Sequence, residues 1–289
     1  MYFFYSSNPQ YKVYINGDDV LLNILKEELS PYIDCSHETC EYNLRIDISL
    51  SNINKTLQIT KSHIALKYDN VDKLINLARK ITRDYLYLNI CHKYAQLHAG
   101  LIDFNGCGIL IVGPSGRGKT STIITLLNEF KNVKFVSNDR VIINQHNLNM
   151  FGWPTAMGIG EFANSYFSIN AVPYKSRSKY WYNIRDLKRN NIDCTKETNC
   201  KLCIAPNFLT AESNTSISCI DTFELLKHNI RADFESGNNY FEKECQALEP
   251  NKCINKNAYS SLKSFEITTE GISKNYIKAL KEVIYENIR

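Results

Sequence analysis

A short glycine-rich stretch constrains this chain more than any other feature of its sequence. Residues 113–120 read GPSGRGKT, which fits the phosphate-binding pattern G-x-x-x-x-G-K-[ST]. An apolar run, Gly108–Val112, precedes the stretch, and a predicted helix over Thr120–Phe130 follows it. In a strand–loop–helix unit of this kind, backbone N–H groups turn inward at a helix N-terminus, where they favour an anion. The sequence therefore predicts a phosphate site in an α/β domain.

Two side chains of the stretch have predicted roles beyond the backbone cradle. Lys119 would reach the β- and γ-phosphates of a nucleotide, and the Thr120 hydroxyl would ligate Mg²⁺. ATP and Mg²⁺ are thus the predicted cofactors, with GTP in place of ATP left open. The predicted nucleotide-binding residues are Gly113, Ser115, Gly116, Arg117, Gly118, Lys119, Thr120 and Ser121.

A magnesium site also needs a carboxylate, normally at the end of a neighbouring buried strand. Lys134–Val136 is a second predicted buried strand, and Asp139 follows it closely. Ligands of open α/β sheets bind at the carboxyl ends of strands. Asp139 is therefore the predicted metal ligand beside Thr120, although an ordinary turn residue is the alternative interpretation.

The approach to the glycine-rich stretch is a predicted hairpin that carries a histidine. Two apolar runs meet at Asn105-Gly106, a dipeptide typical of tight turns between antiparallel strands, and the first run begins with His98. Such a hairpin would carry His98 towards the phosphate end of the sheet. A histidine in an apolar strand is otherwise a core residue, so both interpretations stay open.

The residues from Leu97 to about Val141 resemble the core of HPr kinase/phosphorylase and its kinase-like relatives, which share a fold core with phosphoenolpyruvate carboxykinase. The family pattern is a histidine that opens a hairpin, then the P-loop, a helix, and a strand that ends in two acidic residues. In this family the hairpin walls the nucleotide site and its histidine faces the phosphates. The resemblance implies a P-loop nucleotide-binding core of this α/β type, with His98, Lys119 and Asp139 as catalytic residues.

The chain departs from the family pattern at Asn138, which occupies the first acidic position. In HPr kinase/phosphorylase that position holds the base that activates the acceptor serine, and an amide cannot take up a proton. Either Asp139 performs both tasks or another group acts as base, with Glu161 as a candidate. Phosphoryl transfer depends mainly on positioning and electrostatics. Kinase activity is therefore expected to survive this substitution better than the reverse phosphorylase activity.

The function implied by the resemblance is an ATP- and Mg²⁺-dependent kinase that phosphorylates a hydroxyl. The expected acceptor is a serine or threonine of a peptide or small protein, and a homo-oligomer is compatible with this function. One alternative is a kinase of a small metabolite. Another is a non-catalytic nucleotide-gated regulatory protein, which Asn138 favours.

The length of 289 residues allows two domains. Residues 1–92 are predicted to form a small α/β domain that serves as a platform or holds the substrate, and it closes with a helix from Val71 to about His92. Residues 93–289 are predicted to form the nucleotide-binding domain with a C-terminal elaboration. Within it, residues 152 to about 199 are predicted to be long loops.

A basic and aromatic stretch, residues 173–190, lies in these predicted loops. We interpret it as a solvated face, as a clamp for substrate or phosphate, or, less readily, as a patch for nucleic acid. The net charge of +4 suits an anionic ligand but gives no case for bulk nucleic-acid binding. The basic residues of the stretch are Lys175, Arg177, Lys179, Arg185, Lys188 and Arg189.

Nothing in the sequence predicts secretion or membrane insertion. The chain start lacks the basic and apolar regions of a signal peptide, and no apolar run approaches the ~18 residues of a membrane helix. A cytoplasmic protein is expected, with its ten cysteines as free thiols. Cys203 is predicted to be a core residue of a strand, Lys201–Ile204, and with Cys194 and Cys200 it is interpreted as structural rather than zinc-binding. His63 is expected at a hairpin turn on the surface.

Overall fold

The chain folds as a mixed α/β protein, with three β-sheets among the residues that the computed structural model describes. These residues separate into two compact units, the first ending at residue 90 and the second beginning at residue 94. None of the described helices is both long enough and apolar enough to cross a membrane. The described residues are 1–5, 8–30, 32–38, 40–88, 90, 94–144, 146–153, 156–167, 174–176, 179–209, 214–231 and 256–288.

The described residues of the first unit form one sheet and two helices. Its elements are β1 (Tyr2–Tyr5), β2 (Asn8–Asn16), α1 (Asp19–Leu29), β3 (Asp34–Ser36), β4 (Leu44–Leu50), β5 (Lys55–Thr60), β6 (His63–Tyr68) and α2 (Val71–Leu88). The six strands lie in the order β3-β1-β2-β4-β6-β5. Leu44, Ile46 and Ile48 are buried and alternate with more exposed residues along β4, as the predicted period of two requires.

The second unit contains the remaining strands and helices of the described residues. They are β7 (Tyr94–Leu97), β8 (Ala99–Phe104), β9 (Cys107–Val112), α3 (Lys119–Glu129), β10 (Val133–Ser137), β11 (Val141–Asn144), β12 (Asn149–Gly152), β13 (Met157–Gly160), α4 (Glu161–Tyr166), β14 (Tyr174–Ser176), β15 (Lys179–Tyr182), α5 (Ile184–Arg189), β16 (Glu197–Phe208), β17 (Ser216–Cys219), α6 (Thr222–Lys227), β18 (Ile230–Arg231), α7 (Lys256–Tyr259), β19 (Lys263–Thr269) and α8 (Lys274–Asn287). Ten strands form one sheet, and β13, β15 and β14 form a smaller one.

The directions of the strands in the large sheet bring the carboxyl ends of several strands to one edge. β9, β16 and β19 run parallel to one another, while β8 lies antiparallel between β9 and β10. The strands β9, β10, β16 and β19 therefore all end at the same edge, and β8 begins there. We call this edge the loop edge, because the glycine-rich loop between β9 and α3 leaves the sheet at this point.

The core of the second unit lies on the large sheet and includes two cysteines of β16. Cys200 and Cys203 are fully buried. Burial raises the pKa of the Cys200 thiol to about 12 and also raises the pKa of Cys203. The prediction that Cys203 is a core residue is confirmed, and its strand extends well beyond Lys201–Ile204.

The prediction of long loops over residues 152 to about 199 is wrong. This region contains β13, α4, β14, β15, α5 and the start of β16. One glycine that suggested a turn serves close packing instead: a Cβ at Gly158 would lie 2.8 Å from the ring of Trp181, which pairs with it across β13 and β15. Asn183 and Asp186 form the capping box of α5.

Two details of the first unit also differ from the prediction. The helix α2 ends at Leu88 rather than near His92, which lies outside the described residues. His63 begins β6, and its Nε2 atom lies 2.6 Å from Asp47 Oδ2. Burial alone would raise the pKa of Asp47, but hydrogen bonds from His63, Arg45 and Asn16 lower it below the ordinary value. His63 therefore has a carboxylate partner on β4, a pairing between strands that the sequence around it does not reveal.

Candidate functional site

The glycine-rich loop between β9 and α3 depends on backbone conformations that residues with a Cβ atom rarely adopt. Gly113, Gly116 and Gly118 have φ angles of 148°, 83° and 99°, in the range where glycine is the ordinary residue. Packing adds a second constraint at Gly118, because a Cβ there would lie 2.7 Å from the ring of Phe208. At Gly116 a Cβ would meet nothing within 4 Å.

This difference predicts unequal effects of alanine at the two glycines. Gly116→Ala forces an alanine into the left-handed conformation but creates no steric contact, so it should lower the free energy of unfolding by about 1–2 kcal/mol. Gly118→Ala should cost more, because the Phe208 ring must also move. Denaturant titrations of both variants measure the difference. Equal losses would show that Phe208 yields to the added methyl group without cost.

Lys119 directs its charge into the loop. Its side chain is 7% exposed, and its Nζ atom donates hydrogen bonds to the carbonyl oxygens of Gly113 at 2.7 Å and Pro114 at 3.0 Å. Gly118 is the N-cap of α3 and supplies no side-chain cap. The first N–H groups of a helix lack intrahelical partners and favour an anion. The buried ammonium and the N-terminus of α3 therefore lie together at the loop, an arrangement that could hold a phosphate-like anion.

The end of β16 holds the loop from one side. Arg117 Nη1 donates a hydrogen bond to Asn207 Oδ1 at 3.0 Å, and Phe208 N donates to the Arg117 carbonyl at 3.3 Å. The Phe208 ring lies against Gly118. The sequence did not predict these contacts, because the predicted strand stopped at Ile204 and its pairing with β9 is not local.

His98 and Asp139 meet at the loop edge. His98 Nδ1 lies 3.0 Å from Asp139 Oδ1, with 13% and 36% of the respective side chains exposed. His98 was predicted to lie in the hairpin strand, but it occupies the break between β7 and β8. There its backbone N–H donates a hydrogen bond to the Asn229 carbonyl at 2.8 Å. The Asp139 carbonyl accepts a hydrogen bond from Ala99 N at 3.2 Å. The start of β8 and the end of β10 thus bring the two side chains together.

Asn138 differs from its neighbour in exposure. It is 6% exposed, and it is absent from the residues that line the cleft described below. The turn that contains it is fixed by Ser137, whose hydroxyl donates to the Arg140 carbonyl at 2.5 Å. Asn138 is therefore more buried than Asp139, which lines the cleft.

A cleft with a volume of about 370 Å³ opens at the loop edge. It brings together most of the predicted site residues, namely His98, Ser115, Gly116, Gly118, Lys119, Thr120, Ser121 and Asp139. Gly113 and Arg117 belong to the loop but do not line the cleft. Glu161, the alternative base, lines it from α4. Lys179 also lines the cleft, and it belongs to the basic and aromatic stretch for which a clamp on substrate or phosphate was one interpretation. Gly158 and Gly160 line it from the region that was predicted to be loops. Nothing in the sequence indicated Ala163 or Phe208.

The opposite wall of the cleft comes from the small sheet and α4. Lys179 projects from β15 with its Nζ atom 5.9 Å from the centroid of the Trp181 ring. The helix α4 is tied to α3, because Tyr166 Oη donates to Glu129 Oε1 at 2.7 Å and Asn128 Nδ2 donates to the Tyr166 carbonyl at 2.9 Å. Burial, followed by the Glu129 carboxylate, raises the pKa of Tyr166 to about 12. These contacts fix the wall that carries Glu161.

The oxygen donors at the loop edge could hold a hard cation. Thr120 offers a hydroxyl and Asp139 a carboxylate, and both line the cleft. Mg²⁺ is commonly bound by one or two protein oxygens, together with water and substrate phosphates. A cation and a phosphorylated ligand therefore suit the same cleft.

Comparisons with known proteins give a remote structural similarity. No family model matches the chain, and no curated protein matches it. A solved structure, the Hpr(Ser) kinase/phosphatase from Coxiella burnetii, aligns with 66% of this chain and 94% of its own, at a TM-score of 0.32 and 11% sequence identity. Similarity at this level does not establish a shared activity.

Proposed function

We propose that this protein is an ATP- and Mg²⁺-dependent kinase with a P-loop core of the HPr kinase type. It transfers the γ-phosphoryl group to a hydroxyl, which we assign to a serine or threonine of a peptide or small protein. The observation that carries the proposal is that His98, Lys119 and Asp139 line one cleft at the loop edge. Phosphoryl transfer requires mainly positioning and charge stabilisation, and these three side chains supply both.

The loop residues fit the phosphates of ATP. The buried Lys119 ammonium and the backbone N–H groups at the start of α3 would hold the β- and γ-phosphates. The backbone at Gly118 leaves no room for a Cβ beside Phe208, so the loop keeps a glycine where its last turn meets the helix. Thr120 and Asp139 would bind Mg²⁺, which when bound neutralises charge on the phosphate oxygens.

The remaining residues of the cleft have separate roles in this proposal. In the transfer, a bond forms between the acceptor oxygen and the γ-phosphorus, the bond from that phosphorus to the β,γ-bridging oxygen breaks, and ADP leaves. Asp139 lies against His98 and is assigned to the metal. Glu161 is exposed on the opposite wall of the cleft, so we assign it as the base that accepts the proton of the acceptor hydroxyl. His98 stabilises the charge that develops beside Asp139.

The test of this function is transfer of label from γ-labelled ATP. The protein is incubated with Mg²⁺ and either a library of serine- and threonine-containing peptides or a metabolite extract, and products are identified by mass spectrometry. We expect phosphorylated peptides, and we expect His98→Ala to lower the rate by about 10²-fold. His228→Ala is the matched control, since that histidine is 75% exposed and pairs only with Glu224 among the contacts described.

Two outcomes would favour an alternative function, and a third would remove His98 from the proposed reaction. Label in small molecules alone would point to a metabolite kinase. Bound nucleotide with no label in any acceptor would contradict kinase activity and support a nucleotide-gated regulatory protein. Transfer at the wild-type rate by His98→Ala would show that His98 is a core residue without a role in the reaction.

A further inference from the structure

The C-terminal helix α8 places a tyrosine behind the glycine-rich loop. Tyr276 lies in the first turn of α8, which begins after its N-cap, Ser273. Its side chain is fully buried, and its hydroxyl lies 2.5 Å from Thr122 Oγ1 in α3. Tyr276 is absent from the cleft lining, so any effect on a ligand must pass through other residues.

The hydrogen-bond direction can be assigned from the number of protons. Thr122 Oγ1 donates to the Gly118 carbonyl at 2.9 Å. A threonine hydroxyl has one proton, so the Tyr276 hydroxyl must be the donor to Thr122. Burial raises the pKa of Tyr276, so it stays protonated and able to donate. A chain of two hydrogen bonds therefore runs from Tyr276 through Thr122 to Gly118.

The ring of Tyr276 reaches the same glycine by a second route. It packs edge-to-face on Phe208, with ring centroids 5.1 Å apart and an interplanar angle of 89°. Phe208 in turn lies against Gly118. The hydroxyl of Tyr276 thus holds the Gly118 carbonyl through Thr122. Its ring supports Phe208, whose side chain packs where a Cβ of residue 118 would lie.

We propose that Tyr276 is a positioning residue for the anion-binding loop, which it holds through Thr122 and Phe208 at Gly118. Gly118 is the N-cap of α3, with a φ angle of 99°. Its orientation sets the direction of the first N–H groups of the helix, which face the ligand in the proposed function. This inference rests on that function for the identity of the ligand, Mg-ATP.

Two substitutions remove the hydrogen-bond chain without removing the ring. Tyr276→Phe deletes the donor, and Thr122→Val deletes the relay. Loss of one hydrogen bond that orients the loop should weaken Mg-ATP binding by about fivefold, with the single-turnover rate at saturating ATP little changed. The double variant should bind no more weakly than either single variant, because both changes break the same chain.

Tyr259→Phe is the matched control. Tyr259 is also a buried tyrosine of this unit, and its hydroxyl donates to the Asn144 carbonyl, away from the loop. We expect it to lower the melting temperature about as much as Tyr276→Phe while leaving the calorimetric Kd for Mg-ATP unchanged. Amide hydrogen exchange over residues 116–120 should be faster in Tyr276→Phe and in Thr122→Val only.

The outcomes distinguish this inference from the proposed function. Wild-type affinity in Tyr276→Phe, or equal weakening in Tyr276→Phe and Tyr259→Phe, would overturn the positioning role and leave the kinase proposal intact. Failure of the wild-type protein to bind Mg-ATP would overturn the proposed function instead. The exchange rates still decide the inference in that case: faster exchange in Tyr276→Phe than in Tyr259→Phe supports it, and equal rates overturn it.

Discussion

Lys119→Ala is expected to weaken Mg-ATP binding by about 10²-fold, because charge-assisted hydrogen bonds to phosphate oxygens in a sheltered site are strong. The ammonium is held inside the loop by the carbonyls of Gly113 and Pro114. Water can replace it at these carbonyls in the variant, so the melting temperature should change little. Isothermal calorimetry and thermal unfolding measure the two effects separately.

Lys179→Ala is the control for this change. Lys179 lines the same cleft from the opposite wall, but its side chain is exposed. Exposed charges contribute little, so its removal should change the Kd by about fivefold at most. If Lys119→Ala bound Mg-ATP as tightly as the wild-type protein, the assignment of the glycine-rich loop to the phosphates would be wrong.

Asp139→Asn is expected to lower the rate of phosphoryl transfer by about 10³-fold, since a metal contributes several kcal/mol of charge stabilisation and the variant loses the carboxylate that holds it. Asn138→Ala should lower the rate by less than about tenfold. Asn138 is buried and does not line the cleft, so the proposed function gives it no contact with the cation and no proton to transfer.

Single-turnover rates at saturating ATP, measured over a Mg²⁺ titration, test this order. The Asp139 variant should also require more Mg²⁺ for its residual activity. Comparable losses in the two variants would contradict the separate roles assigned to these adjacent residues. They would also reopen the question of which group accepts the proton, now assigned to Glu161.

The parts of the fold that could be predicted from the sequence are those with local signals. The hairpin at Asn105-Gly106 is confirmed: Phe104 pairs with Cys107, and the two turn residues have φ angles of 54° and 82°. The strand before the glycine-rich loop and the helix after it were likewise evident, because each is a short apolar run bounded by turn residues. These elements alone suffice to place Lys119 and Thr120 at the start of α3, after the loop that follows β9.

The remaining parts depend on contacts between distant segments. β16 pairs in parallel with β9, a register that no local pattern encodes, and this pairing brings Asn207 and Phe208 to the loop. The strands β13 and β15, which form the wall with Lys179, were predicted to be loops, because glycines such as Gly158 favour turns and close strand packing equally well in sequence. The support of Gly118 by Tyr276 joins α3 to a helix at the far end of the chain, beyond the reach of any motif.

The most direct test of the kinase proposal is the stoichiometry of a single turnover. The protein is mixed with equimolar γ-labelled ATP, Mg²⁺ and the serine- and threonine-containing peptide library, and ADP and labelled peptide are quantified together. The proposed function predicts equal amounts of the two products, and neither product from Asp139→Asn on the same timescale. ATP recovered intact from the wild-type protein, or label released only as free phosphate, would contradict the proposal that this cleft transfers a phosphoryl group to a hydroxyl acceptor.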